Sequence, residues 1–223
     1  MKTILFSENI KKAAPDLKVL QIEAEVINTP TSDLLWNEIE EEAIRLQENY
    51  ELPELNKRPA IMATRKAYKA LGKDPNRYRP SAEALGRRIL NGKGIYRLTT
   101  LIDIINLVSV KTGYSIGGFD NDKIEGDSLL LDAGTSQDIF NAIGRGPLNI
   151  EGLPVYRDNL GGIGTPTSDE ERTKLTPDTS RILMLVNIYG EETPVNETEA
   201  MIKDLLSRHA SLKNYKSKIN SID

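Results

Sequence analysis

The sequence predicts a mixed α+β fold on three observations. Amphipathic helical segments crowd the first half of the 223-residue chain, short strand-like runs dominate the second half, and the regular strand-helix alternation of a doubly wound sheet is missing. Hydrophobic residues make up 39% and charged residues 28%, the balance of a chain able to fold by itself. Length alone allows one large domain or two small ones, and with no internal repeat, low-complexity tract or clear linker, 1–223 is expected to be a single domain.

Residues 17–27 read as a strand, because Leu20, Ile22, Ala24 and Val26 alternate with Val19, Gln21, Glu23 and Glu25; this predicts one apolar face and one wet face. Ser32 is placed to cap a helix whose inner face holds Leu35, Ile39, Ala43 and Leu46, with Asp33 favoured near its positive end. Pro59 suits a first helical position, and a second helix runs from it to Gly72 with Ile61, Arg65, Tyr68 and Leu71 aligned and Lys66, Lys69 and Lys73 outward. Two prolines make 74–80 a loop. A third helix starts at Ser81, packs Ala82, Leu85, Ile89 and Leu90 inward and stops at Asn91-Gly92. Thr99 or Thr100 caps a fourth, with Leu101, Ile104, Ile105 and Val108 on its inner face. Strands follow at Leu129–Leu131, Leu153–Tyr156 and Ile182–Ile188, among glycine-rich turns. A last helix from Glu197 aligns Met201, Leu205 and Arg208, and the tail Lys213–Asp223 is expected to fray.

Composition excludes several chemistries. Cysteine is absent, which removes disulfides, thiol nucleophiles and thiolate metal sites. The apolar run at Met1–Ser7 is too short for a signal peptide, and no segment approaches the roughly 18 apolar residues of a membrane span, so a cytoplasmic protein without a membrane partner is expected. Net charge is −4, which argues against indiscriminate nucleic-acid binding. The charges are uneven, however. Residues 33–54 carry eight acidic side chains against Arg45, and residues 57–97 carry twelve basic ones against Asp74 and Glu83. Either the two runs neutralise each other, or one end of the molecule is positive.

The motifs are read in the same way. Gly144-Arg145-Gly146 and Gly161-Gly162-Ile163-Gly164 lack the lysine of a phosphate loop, so turns or close backbone approach explain them better. The only histidine, His209, ends the last helix and reads as a surface or capping residue; with no Gly-x-Ser-x-Gly elbow, a hydrolytic triad is not expected. One histidine without cysteine leaves only carboxylate sites for a metal, Asp120-Asn121-Asp122 reads as a turn, and no metal or other cofactor is expected. Asp103 and Asn106, three apart on an apolar helix, project near its edge; Asn106 serves either a ligand or the tying of adjacent loops.

Five segments in order carry a resemblance. They are Arg77-Tyr78-Arg79-Pro80-Ser81-Ala82-Glu83-Ala84-Leu85, the helix Leu101-Ile102-Asp103-Ile104-Ile105-Asn106, Gly117-Gly118-Phe119-Asp120, Ile124-Glu125-Gly126-Asp127, and Leu175-Thr176-Pro177-Asp178-Thr179. Together they resemble the free-standing relatives of the tRNA-editing domain of the phenylalanyl-tRNA synthetase beta subunit. The similarity covers about 58–190, leaving the N-terminal strand and helix and the C-terminal helix as additions. The resemblance implies a β-sandwich-like mixed sheet core with helices packed outside. It also implies a tRNA or aminoacyl-tRNA partner held partly by its amino-acid moiety, and hydrolysis of a mischarged aminoacyl ester. The alternative is a binding module for RNA or an amino acid with the same fold and no catalysis.

The synthetase's pocket histidine is Gly117 here, a departure that leaves tyrosine specificity open, and its amino-acid-recognising glutamate corresponds loosely to Glu171, beyond the extra residues Thr165-Pro166-Thr167-Ser168. By resemblance the catalytic set is Asn106, Gly117, Gly118 and Glu171. Asn106 would orient the substrate, Glu171 would meet its ammonium group, and backbone amides at Gly117, Gly118 and Gly162 would receive the oxyanion. Asp103, Asp120, Gly162 and Thr179 complete the substrate side, while Arg77, Arg79, Arg87 and Arg88 would hold phosphates and Tyr78 would stack on the terminal adenine. The amino acid, the tRNA and the oligomeric state are not readable from the sequence.

Overall fold

The computed structural model describes residues 1–222. The chain opens with a strand, β1 (Thr3–Phe6), and a short helix, α1 (Glu8–Ala13), before β2 (Lys18–Glu25). Ser32 caps α2 (Asp33–Asn49), accepting from the Leu35 amide at 3.3 Å. Three helices follow: α3 (Pro59–Ala70), α4 (Ser81–Leu90) and α5 (Thr100–Thr112). Then come β3 (Ser115–Asp120), β4 (Ser128–Ala133), the two-residue strands β5 (Asn141–Ala142) and β6 (Gly146–Pro147), β7 (Pro154–Asp158), β8 (Gly161–Gly164) and β9 (Arg181–Ile188). Helix α6 (Val195–His209) and strand β10 (Lys213–Ser221) close the chain.

Two four-stranded sheets result, one in the order β1-β4-β7-β8 and the other β10-β2-β9-β3. They face each other across a core of Val19, Phe119, Leu183 and Leu185 from one sheet and Leu129, Leu131, Tyr156 and Ile163 from the other. The second sheet packs its opposite face, with Leu20, Ile22, Ile182, Met184 and Val186, under α2, α5 and α6. The α+β class and the sandwich with helices outside it are thus observed. The first half of β2 lies between two layers and is covered on both faces: Val19 joins the inter-sheet core, and Gln21 is buried with its amide donating to the Lys2 carbonyl at 3.0 Å. Of the wet face expected from the alternation, only half-buried Glu23 and exposed Glu25 remain.

The last segment also differs from expectation. Lys213–Ser221 pairs antiparallel with β2 from Glu25 to Lys18, with an irregularity between Lys213 and Lys216, so the segment is an edge strand, not a frayed tail; Asp223 lies outside the described residues. Arg208 turns outward to Glu38 instead of sharing the buried face of α6, which is formed by Ile202, Leu205 and Leu206. Lys73 is buried, and its ammonium donates to the Asn149 and Glu151 carbonyls at 3.0 and 2.6 Å. No helix among the described residues is long and apolar enough to cross a membrane.

The basic run is therefore divided between structural and free cations. Arg58 is 5% exposed; it donates to the Val110 and Lys111 carbonyls at the end of α5, at 2.8 and 2.9 Å, and to Glu192 at 2.7 Å. It satisfies carbonyls that the helix end leaves open and ties α5 to the segment before α6. Among the described residues the acidic and basic runs meet in ion pairs only at Lys57–Glu54 and Arg97–Asp33, so mutual neutralisation is not what most of these charges do. Replacing Arg58 with Ala takes the charged partner from the half-buried Glu192 carboxylate and leaves two helix-end carbonyls open. The expected cost is about 3–5 kcal/mol, read as a lower urea midpoint at unchanged slope.

Candidate functional site

Helix α5 builds one wall of the site. Ile102, Ile105, Asn106 and Ser109 fall on one stripe at helical spacing and line a cavity of about 240 Å³. Leu85, Leu98, Ile116, Ile143 and Leu175 complete its apolar walls, and its polar lining is Ser81, Asn106, Ser109, Asp169 and Lys174. Exposure falls along the stripe, from half-buried Ile102 and Asn106 to Ser109 at 2%, which places Asn106 toward the mouth and Ser109 at the closed end. Neither side chain hydrogen-bonds to another described residue.

Asp169 is the residue that sequence reasoning missed. The extra segment Thr165–Ser168 is a tight turn in which the Thr165 hydroxyl accepts from the Thr167 and Ser168 amides at 3.1 and 3.0 Å. Tyr68 and the start of α4 clamp that turn, through Thr167 at 2.9 Å and through the Ser81 amide on the Pro166 carbonyl at 2.8 Å. The turn delivers Asp169 to the edge of β3, where its carboxylate accepts from the Gly118 amide at 3.2 Å. Removal from water dominates the effect of that single hydrogen bond and pushes the carboxyl up to about 7.

The glycines serve close packing. A Cβ at Gly117 would lie 2.6 Å from the Phe119 ring and 3.5 Å from the Asp169 carboxylate, and one at Gly164 would come within 2.7 Å of that carboxylate. Gly118 faces the other way, and its Cβ would meet Ile105 Cδ1 at 2.2 Å. Gly117 and Gly164 thus leave space for the half-buried Asp169 carboxyl, and Gly118 leaves space for Ile105 on the cavity wall. The Gly118 amide is already committed to Asp169 and does not stand free for an oxyanion. Gly162 packs against Phe140 and Val155 and does not line the cavity.

The remaining expected residues divide cleanly. Asp103 is fully buried and accepts from the Thr31 hydroxyl at 2.5 Å and the Leu98 amide at 3.0 Å, which anchors the segment before α5; burial raises its pKa. The Thr179 hydroxyl donates to the Asp120 carboxylate at 2.9 Å, which ties the loop before β9 to the end of β3 outside the cavity lining. Glu171 lies on the surface with Lys174 at 2.5 Å, and that ammonium holds its carboxyl below the usual value. Glu171 does not line the cavity, although Lys174 does.

A second depression, about 840 Å³, adjoins the first and shares Ser81, Leu85 and Asn106 with it. Arg77, Tyr78, Arg79, Arg87 and Arg88 all line this cleft, joined by Lys93, Tyr96 and Arg145, and among the described residues no carboxylate lines it. Glu83, 1% exposed, lies beneath with Arg65 at 2.8 Å, and Arg87 and Arg79 approach it at 3.9 and 4.0 Å. It fixes the position of cations whose outer faces remain available. Tyr78 is half-buried, with the Lys73 ammonium 3.7 Å from its ring centroid.

A two-sheet α+β domain with a small apolar pocket opening into a basic cleft is the class these observations define. Residues 63–209 match the B3/4 domain model, and the chain belongs to that family, which is found in the phenylalanyl-tRNA synthetase beta subunit. Among solved structures it is similar to an N-terminal fragment of the phenylalanyl-tRNA synthetase beta-subunit from Pyrococcus horikoshii, at 16% identity and a TM-score of 0.46, over 97% of this chain and 50% of that one. The chain spans about half the length of that fragment. No curated protein matches it.

Asp169 gives a signed pH dependence. The folded chain keeps this proton up to about 7, whereas an unfolded aspartate releases it near about 3.9, so the folded state holds more protons between those values. Stability from this site is complete below the lower value and is lost as pH rises through the upper one. Asp169→Asn should therefore raise Tm at pH 8 and leave it nearly unchanged at pH 4, with a gain of at most about 4 kcal/mol. A lower Tm of the variant at pH 8 would instead mean that the ionised carboxylate is stabilising.

Proposed function

We propose that the chain binds the aminoacyl end of tRNA and hydrolyses its ester. The carrying observation is the shared boundary: Ser81, Leu85 and Asn106 line both the apolar pocket and the basic cleft, so one ligand with an apolar head and an anionic tail fits across them. Membership of the B3/4 family supports the same reading. In this arrangement the amino-acid side chain enters between Leu85, Ile102, Ile105 and Leu175, and the phosphates follow Arg77, Arg79, Arg87, Arg88 and Arg145.

The ester lies at Asn106 under this proposal. Its carboxamide donates to the carbonyl oxygen, a contact that strengthens as negative charge develops there. Asp169, ionised above about 7, takes a proton from an attacking water. The water oxygen bonds to the carbonyl carbon, the bond to the ribose oxygen breaks, and the proton held by Asp169 passes to that oxygen. Free amino acid and intact tRNA leave.

Deacylation of a panel of mischarged tRNAs tests this. The rate should rise with pH through about 7, and Asn106→Ala or Asp169→Asn should slow it about 10²- to 10³-fold with tRNA binding retained. Normal rates in both variants would remove these residues from the chemistry. Arg79→Ala and Arg87→Ala should each weaken binding and reduce the slope of log affinity against log salt by about 1.

A second reading, binding without hydrolysis, is favoured by the Gly118 amide, which serves Asp169 and no incoming oxyanion. Under it, tRNA binds with the same salt dependence and every ester stays intact.

A further inference from the structure

Tyr96 is exposed at 63% in the segment between α4 and α5, on the wall of the basic cleft. Large aromatic rings gain nothing from such a position by burial, yet this ring is held in place. The Arg88 guanidinium lies 3.9 Å from its centroid, within cation–π range, and also reaches the Lys93 carbonyl at 3.5 Å. Gly92 and Gly94, both at positive φ, turn the chain back toward α4. Just beyond, Arg97 donates to the Thr31 carbonyl and to Asp33 at 2.5 and 2.7 Å, which fixes the segment from the other side.

We propose that Tyr96 is a stacking platform for an unpaired nucleobase at the end of an RNA strand. The inference rests on the reading of the cleft as an RNA site. Arg88 covers the ring and stiffens it, the remaining ring surface faces solvent, and Arg77, Arg79, Arg87, Lys93 and Arg145 supply cations for the adjoining phosphates. An aromatic face beside a charge-lined track suits single-stranded nucleic acid, because every base offers a π-face whatever its sequence. Tyr78 is less suited to this role, since the Lys73 ammonium and the apolar residues beneath it already cover much of its ring.

The test uses a short single-stranded RNA ending in 2-aminopurine, whose fluorescence falls when it stacks. The wild-type chain should bind and quench it. Tyr96→Ala should lose most of the quenching and bind about 10- to 100-fold more weakly with an unchanged salt slope, whereas Tyr96→Phe should retain both. Thermal melts of the two variants verify that they are folded. Binding and quenching in Tyr96→Ala equal to wild type would overturn the platform and leave the cleft as an RNA site. No RNA binding by the wild-type chain would overturn both.

Discussion

Strand β9 is the element on which everything else depends. All its residues except Arg181 are buried, because Ile182, Met184, Val186 and Ile188 face the helix layer while Leu183 and Leu185 face the other sheet. Its two flanks are also taken, by β2 on one side and β3 on the other, and β3 is the last strand of that sheet. An edge strand has outward amides to dispose of, and the Gly118 amide finds its acceptor in Asp169. The half-buried carboxyl of the site thus follows from the edge position of β3.

How the charges are distributed follows the same division between inside and outside. Arg58, Arg65 and Lys73 are consumed by helix-end carbonyls, a buried glutamate and loop carbonyls respectively. The cations of the cleft come from the loop before α4, from its C-terminal half, where Arg87 and Arg88 also suit the negative end of the helix, from Lys93 just after it and from Arg145 between β5 and β6. A chain of net charge −4 can therefore present one strongly basic surface.

The helices were legible because capping and periodicity are local. Ser32, Pro59 and Ser81 mark their helices as read, while the strands at β4, β7 and β9 show through their apolar runs. What was hidden depends on distant partners. The period-two pattern of β2 gave no sign that Val19 and Gln21 would meet a second sheet, and β1, parallel to β4, has no local signal of its partner. Strand β10 looked like a polar tail because an edge strand needs little apolar content. In the site, Asn106 and the arginines lie together on the cavity and cleft, because α5 packs beside α4 and the loop that leads into it. Asp103, Asp120 and Thr179 are polar groups satisfied by other loops, a matter of tertiary contacts that spacing does not encode. Asp169 escaped notice, and Glu171 was favoured instead, because the Thr165–Ser168 turn decides which carboxylate reaches Gly118.

Strand β10 has a further effect beyond completing the sheet. Its outer edge carries Lys213, Lys216 and Lys218, and its pairing is irregular at its start. Positive charge and broken regularity at a sheet border oppose the docking of another strand, the usual first step of edge-to-edge aggregation. The border of the sandwich is therefore kept open without a covering element, and the protection against self-templating is written into the last strand of the chain, separate from the residues that build the pocket.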